Sequence, residues 1–225
     1  MFRKISLALL LSLLLPFIAQ AMPCHCYSAR DFNPQEPAAA DPYYLTTGQN
    51  SFFSIVFGME KKSVVFAKQK PRTTAENLWV TSWLSTVTGK KEKILKKTKN
   101  NQKDWLKALR SMGISSELFP ATFWNLLQRK ADDETLAQFI VDEMLKSKAG
   151  ISTQEITALR AMRANNKETI LASFIGIKTF QPPSALYHRV STGETTWGTL
   201  ILKSGMKGRD MVEEIKTLIN EQKNG

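Results

Sequence analysis

Two stretches of this chain, residues 76–113 and 168–205, follow one plan at a constant spacing of 92 residues. Each begins at a glutamate, passes through an apolar helical pattern, reaches a tryptophan and ends at a glycine. The repeated positions are Glu76, Trp105 and Gly113 in the first stretch and Glu168, Trp197 and Gly205 in the second. A helical hairpin cannot bury its apolar face alone, whereas stacked copies bury it against each other. The spacing therefore predicts an all-α fold built from one internally duplicated helical unit.

The same spacing extends without a gap to residues 127 and 219. We call residues 43–127 the first unit and residues 133–219 the second unit. We expect the two units to pack as one body, either a short solenoid-like helical repeat or a pseudo-two-fold bundle. The concave surface or the central seam of such a body is the expected binding site.

Local signals for helix ends support this organisation. Thr73 with Glu76 predicts a capping box, in which the threonine side chain and the glutamate side chain satisfy each other's backbone N–H groups. Asn165 with Glu168 takes the same places in the second unit. Gly113 predicts a left-handed residue that ends a helix. Asp132, Asp133 and Glu134 lack the spacing of a calcium loop and are typical of a helix N-terminus.

The first 21 residues read as a signal peptide. Arg3 and Lys4 give a positive start, residues 5–18 form a short apolar run, and the small residues Ala19 and Ala21 predict cleavage after Ala21. No later stretch is long enough to span a membrane. We therefore expect a periplasmic protein without a transmembrane segment after cleavage; an uncleaved membrane anchor is the alternative.

The charge of the chain favours anionic partners. The formal net charge is +11, and it becomes +9 once the two basic residues of the signal peptide are removed. Lysines concentrate at residues 90–103, on an expected helix and turn. Lipid head groups, cell-wall polymers or an acidic envelope protein are suitable partners, and a solvated lysine-rich surface is the alternative. These lysines are not interleaved with aromatic residues, so nucleic acid is not an expected partner.

Residues 22–42 predict an irregular, extended arm. Pro34, Pro37 and Pro42 each disfavour helical backbone in the residue before them, and residues 38–40 form an alanine run typical of a linker. Arms of this kind lie across a domain surface or stay mobile.

The arm carries the chemically most unusual cluster, Cys24, His25 and Cys26. Two thiols beside an imidazole suit Cu or Zn, although the spacing matches no zinc knuckle or haem motif and a further ligand would be needed. A second interpretation is a disulfide between Cys24 and Cys26, which either is redox-active or only restrains the arm. Lipidation of Cys24 is a third, which Pro23 disfavours.

No catalytic motif stands out. His188 with Glu194 has the residue types of an acid–base pair, but no nucleophile or phosphate-binding loop accompanies them, so we expect no enzymatic activity. The tryptophans recur at helical spacing, which favours packing in the core over a ligand pocket. They are Trp79, Trp83, Trp105, Trp124 and Trp197.

Several features together are similar to a family of exported, uncharacterised bacterial helical proteins. They are Cys24-His25-Cys26 with Arg30 and Pro34, Asp41-Pro42-Tyr43, Asn50-Ser51-Phe52-Phe53, and Trp197-Gly198 before Gly205. The resemblance implies export and a helical body, and it implies no activity. In the first unit Trp105 is followed by leucine and not by glycine. A glycine directly after this tryptophan is therefore not needed in both units.

The sequence thus predicts an exported, non-enzymatic helical repeat protein that acts as a binding or scaffold module in the periplasm or cell envelope. The alternative is a metal-binding or thiol-redox protein that acts through Cys24, His25 and Cys26.

Overall fold

The computed structural model describes residue 33, residue 36 and residues 37–71 and 73–224. These residues form twelve α-helices and two short 3-10 helices, and no strand occurs among them. The helices are α1 Pro37–Phe57, α2 Lys61–Gln69, α3 Ala75–Thr88, α4 Glu92–Gln102, α5 Trp105–Ser111, α6 Ala121–Gln128, α7 Asp133–Ala149, α8 Thr153–Ala161, α9 Asn166–Thr179, α10 Pro183–Ser191, α11 Trp197–Ser204 and α12 Met211–Asn224, with the 3-10 helices at Ser116–Leu118 and Gly208–Asp210. The predicted all-α class is confirmed.

Three of the predicted helix ends form as expected. The Asn165 side chain accepts hydrogen bonds from the first turn of α9, and Glu168 reaches back to the Asn165 N–H at 2.8 Å, which completes a capping box. Gly113 adopts φ 70° after α5, and the Ile114 N–H donates to the Leu109 carbonyl, as in a Schellman motif. Gly205 closes α11 with the same φ of 70°.

The capping box at Thr73 and Glu76 does not form. Thr74 is the N-cap of α3, and its hydroxyl accepts a hydrogen bond from the Asn77 N–H at 3.1 Å. Because α3 begins at Ala75, Glu76 lies one residue too early to reach back to the cap. Glu76 contributes instead as an acidic residue in the first turn, where the helix dipole favours it.

The arm is shorter than predicted. We expected extended chain to residue 42, but α1 begins at Pro37 and continues through Pro42. Proline at the first position of a helix loses no hydrogen bond, and Pro42 removes only one. Asp41, which proline disfavours as a helical residue, is held by tertiary bonds: its carboxylate accepts from the backbone N–H groups of Trp197 at 3.2 Å and Gly198 at 2.8 Å.

The core is centred on α1, α3, α7 and α9. α1 packs on α9 and α3 packs on α7, so each unit packs its longest helix against the other unit. Phe52 of α1 meets Phe174 of α9 with ring centroids 5.2 Å apart, and Trp83 of α3 lies 6.5 Å from Phe139 of α7. Four of the five tryptophans are buried and Trp124 is half-buried, which confirms their assignment to the core.

The shorter helices surround this centre and are attached to it by polar bridges as well as apolar contact. Lys68 of α2 donates to the Asn50 side chain of α1 at 2.7 Å. Arg160 of α8 donates to the Asp142 carboxylate of α7 at 2.7 Å. Among the helices that the structure describes, none is both long enough and apolar enough to cross a membrane.

Candidate anion-binding cleft

The predicted metal or thiol cluster, Cys24, His25 and Cys26, lies outside the described residues, as does the predicted signal peptide. Within residues 36–71 and 73–224, no group of three or more histidine, cysteine, aspartate or glutamate side chains is placed to hold a metal ion.

Positive charge is distributed unequally between the two units. The first unit has 14 basic and 5 acidic residues, a net charge of +9, whereas the second has 11 and 10, a net charge of +1. The two units are similar in length and in helix order, so the fold does not account for this difference. The excess points to the surface of the first unit as the place where an anionic partner would be attracted.

A polar cleft with a volume of about 510 Å³ lies at the edge of this surface, and all of its described lining residues except Asp133 belong to the first unit. It opens between the loop before α3, the first turn of α3, the exposed side of α4, and the starts of α5 and α7. We call it the polar cleft. Its lining residues are Pro71, Thr73, Thr74, Asn77, Lys96, Lys99, Asn100, Trp105 and Asp133.

Asp133 forms one wall of the polar cleft and organises its polar groups. Its carboxylate accepts a hydrogen bond from Nε1 of Trp105 at 2.7 Å and another from Nδ2 of Asn77 at 3.1 Å. Nζ of Lys99 lies 3.5 Å from the same carboxylate and 5.7 Å from the centroid of the Trp105 ring. Lys99 is thus held against Asp133 and Trp105 by an ion pair and a cation–π contact.

Lys96 precedes Lys99 by about one helical turn, and both residues line the polar cleft from α4. Lys96 also lies 3.4 Å from the carboxylate of Glu92, and about a third of each of these two side chains is exposed. At the spacing of 92 residues the second unit has His188 and Ser191 in these places, so the lysine pair belongs to the first unit alone.

A second cleft, of about 400 Å³, shares Lys99, Trp105 and Asp133 with the first. Lys103 and Lys130 line it with left-handed backbone, at φ 59° and φ 55°. Asp104 and Asp132 line it too, and each caps a helix, α5 and α7 respectively. Because its lysines and aspartates are balanced, this second cleft is a weaker candidate than the polar cleft.

The aspartate equivalent to Asp133, Asp41, contacts the start of its partner helix differently. Asp41 precedes Asp133 by 92 residues, as Trp105 precedes Trp197. Asp41 accepts from the backbone N–H groups at the start of α11, whereas Asp133 accepts from the indole N–H of the tryptophan. Both aspartates therefore link the start of a long helix to the start of a short one.

Of the repeat positions predicted from the sequence, only Trp105 lies in the polar cleft. Glu168, Gly113 and Gly205 shape helix ends, and Trp197 is buried at the start of α11. His188 is exposed, and Glu194 is bonded to Arg189 at 2.7 Å, so nothing joins the suggested acid–base pair.

Sequence reasoning missed Asn77, Lys99 and Asp133 as members of one site. The lysine cluster at residues 90–103 was visible, but the aspartate that organises it lies far along the chain in another helix. The mismatch of Lys96 with His188 was the available signal that the two units differ here.

Comparison of the chain with protein families, with curated proteins and with solved structures found no match. The resemblance to exported bacterial helical proteins therefore stays a prediction, and function has to be inferred from the cleft and its charge.

Proposed function

We propose that this protein is an exported, non-enzymatic helical module that binds an anionic component of the periplasm or cell envelope through its first unit. The observation that carries this proposal is the charge difference between the units, +9 against +1. A lysine-rich surface kept only for solubility would not need to be confined to one of two similar units. A surface that attracts an anionic partner would be confined in this way.

The proposal includes an internal duplication. Support comes from helix bounds: α2 and α8 begin and end 92 residues apart, as do the two 3-10 helices, and α5 and α11 begin 92 residues apart. Residues 78–84 of α3 are all buried, as are residues 170–176 of α9 at the same spacing, although the buried run of α9 begins one residue earlier, at Thr169. Two units that descend from one ancestor are expected to share helix ends, 3-10 turns and buried positions in this way.

Polar contacts between equivalent positions add to this support. Lys68 and Asn50 of the first unit precede Arg160 and Asp142 of the second by 92 residues, and both pairs are hydrogen-bonded. Of the two arrangements open from the sequence, the pseudo-two-fold bundle is the better supported. The contact of α1 with α9 is matched by that of α7 with α3, which a linear stack of repeats would not produce.

Binding to envelope components tests the function. The mature chain, residues 22–225, would be sedimented with vesicles of phosphatidylglycerol, vesicles of phosphatidylcholine and purified cell wall, at low and at high salt. We expect co-sedimentation with anionic material that weakens as salt rises, because exposed charges are screened. Equal sedimentation with the zwitterionic vesicles, or none with any material, would contradict the proposal. N-terminal sequencing of the periplasmic fraction would test export and cleavage after Ala21.

The alternative function is metal binding or thiol redox chemistry through Cys24, His25 and Cys26. Its support is the sequence itself, which places two thiols and an imidazole within three residues. Cu or Zn measured in the untagged periplasmic protein, together with a count of free thiols, would test it. Near-stoichiometric metal that is lost on replacing both cysteines by serine would move the functional site from the helical body to the arm.

A further inference from the structure

We infer that the polar cleft binds a phosphate group, held by the ammonium groups of Lys96 and Lys99. This inference rests on the proposed function and makes it specific: the anionic partner carries phosphate, and one cleft rather than a diffuse surface recognises it.

The polar cleft is lined mainly by side chains that can donate hydrogen bonds. Two ammonium groups come from α4, amides come from Asn77 and Asn100, and hydroxyls come from Thr73 and Thr74. The only carboxylate among the described lining residues belongs to Asp133, whose oxygens already accept from an indole N–H and an amide. A further anion entering the cleft would therefore meet mostly donors.

The type of donor favours phosphate over carboxylate. The basic side chains described in the lining, Lys96 and Lys99, lack the planar fork with which arginine matches a carboxylate through two parallel bonds. Lysines act as point charges, and with amide and hydroxyl donors they suit the several oxygens of a tetrahedral phosphate. The cleft volume of about 510 Å³ leaves room for the group that carries the phosphate. A lipid head group and a soluble phosphate ester share this chemistry.

Asp133 would compete with the bound phosphate for Lys99. Its carboxylate lies 3.5 Å from Nζ of Lys99 and faces the same space. Replacement of Asp133 by asparagine would keep an acceptor for the indole N–H of Trp105 and would remove the negative charge. We therefore expect the D133N variant to bind phosphate more tightly than the natural chain, by about threefold.

The test titrates inorganic pyrophosphate into the mature chain at constant ionic strength. The indole N–H of Trp105 serves as the reporter in nitrogen-15 NMR, since it lines the cleft, and the W105F variant identifies its signal. The variant K96Q/K99Q is compared with K93Q/K97Q, which removes two exposed lysines from the same helix outside the cleft. Both variants lose the same net charge, so the comparison distinguishes specific binding in the polar cleft from general electrostatic attraction.

We expect the Kd for pyrophosphate to rise about tenfold in K96Q/K99Q, equivalent to about 1.4 kcal/mol, and to change less than about twofold in K93Q/K97Q. Equal weakening in both variants would overturn the phosphate site and leave the proposed function intact. An equal response to acetate would also overturn it. Sedimentation of the same variants with phosphatidylglycerol vesicles distinguishes the sources: a parallel tenfold loss indicates a lipid head group, and pyrophosphate binding alone indicates a soluble phosphate.

Discussion

At the scale of single residues, Arg160 shows how the second unit is held together. Its guanidinium donates to Asp142 on α7, to the Ala164 carbonyl at 2.8 Å and to the Asn166 side chain at 2.7 Å. About a fifth of the Arg160 and Asp142 side chains is exposed. Burial raises the pKa of Asp142, and the neighbouring guanidinium opposes that shift. One arginine thus joins α7, α8 and the start of α9.

Replacement of Asp142 by alanine is expected to lower the free energy of unfolding by about 2 kcal/mol, because Arg160 would lose its main acceptor in a largely buried place. Asparagine keeps an acceptor, as Asn50 does in the first unit, so D142N is expected to cost about 1 kcal/mol or less. Urea denaturation of the two variants measures the difference. Equal losses would mean that the hydrogen bond contributes little and that only the charge matters.

Phe180 is a residue in an unfavourable conformation. It follows α9 with left-handed backbone, φ 55°, and 94% of it is exposed. The first unit has Gly89, with φ 67°, at the end of α3. We expect F180G to raise the free energy of unfolding by about 0.5–1 kcal/mol, since glycine adopts this φ without steric cost. The F180A variant removes the ring and keeps the strain, so its thermal denaturation midpoint should stay near that of the natural chain.

At the scale of the helices, α7 begins at a carboxylate whose ionisation is coupled to folding. Hydrogen bonds from the backbone N–H and the hydroxyl of Thr135 lower the pKa of Asp132. A carboxyl group whose pKa is lower in the folded state stabilises the fold above its unfolded pKa, about 3.9, and loses that contribution as the pH falls through its folded pKa.

The variant D132N tests this coupling, because asparagine also caps helices but does not titrate. We expect stability near neutral pH to change little and the loss of stability below about pH 4 to become shallower. Urea midpoints measured between acid and neutral pH would show the difference. If the stability of D132N fell as steeply at low pH as that of the natural chain, Asp132 would not contribute to the acid dependence of stability.

The sequence predicted helix type and most helix ends, because caps and stops are local. Asn165 with Glu168 and the glycines at 113 and 205 were identified from their own neighbours. Local signals predicted the wrong helix start where two neighbouring residues could each serve as the N-cap. Thr73 and Thr74 can each cap a helix, and which one does so is decided by how residues 78–84 of α3 must be buried. Pro42 indicated extended chain, and the tertiary bonds of Asp41 overcame that preference.

At the scale of the whole molecule, the polar cleft lay beyond sequence reasoning because its parts come from distant segments. Asn77 and Asp133 are 56 residues apart, and only the packing of α3 on α7 brings them to 3.1 Å. Lys99 could be identified as part of a basic segment, but its orientation depends on Trp105 and Asp133. The composition of a surface can be read from a sequence, whereas the convergence of its donors requires the tertiary fold.

The same interleaving leads to a prediction about folding. Because α1 packs on α9 and α3 packs on α7, each unit separated from the other would expose the apolar faces of its longest helices. We expect residues 22–130 alone and residues 131–225 alone to lack cooperative thermal unfolding, since neither can complete a core.

Mixing the two fragments should restore that core. We expect a one-to-one complex with cooperative unfolding, detected by circular dichroism and size-exclusion chromatography. The variant F52A of the first fragment should weaken the complex, because Phe52 contacts Phe174 across the two units. The variant I94A is the matched control, since 47% of Ile94 is exposed in the first unit itself. A first fragment that folds cooperatively by itself would show that the units are independent domains, and the contacts of α1 with α9 and of α3 with α7 would then be a docking arrangement and not a shared core.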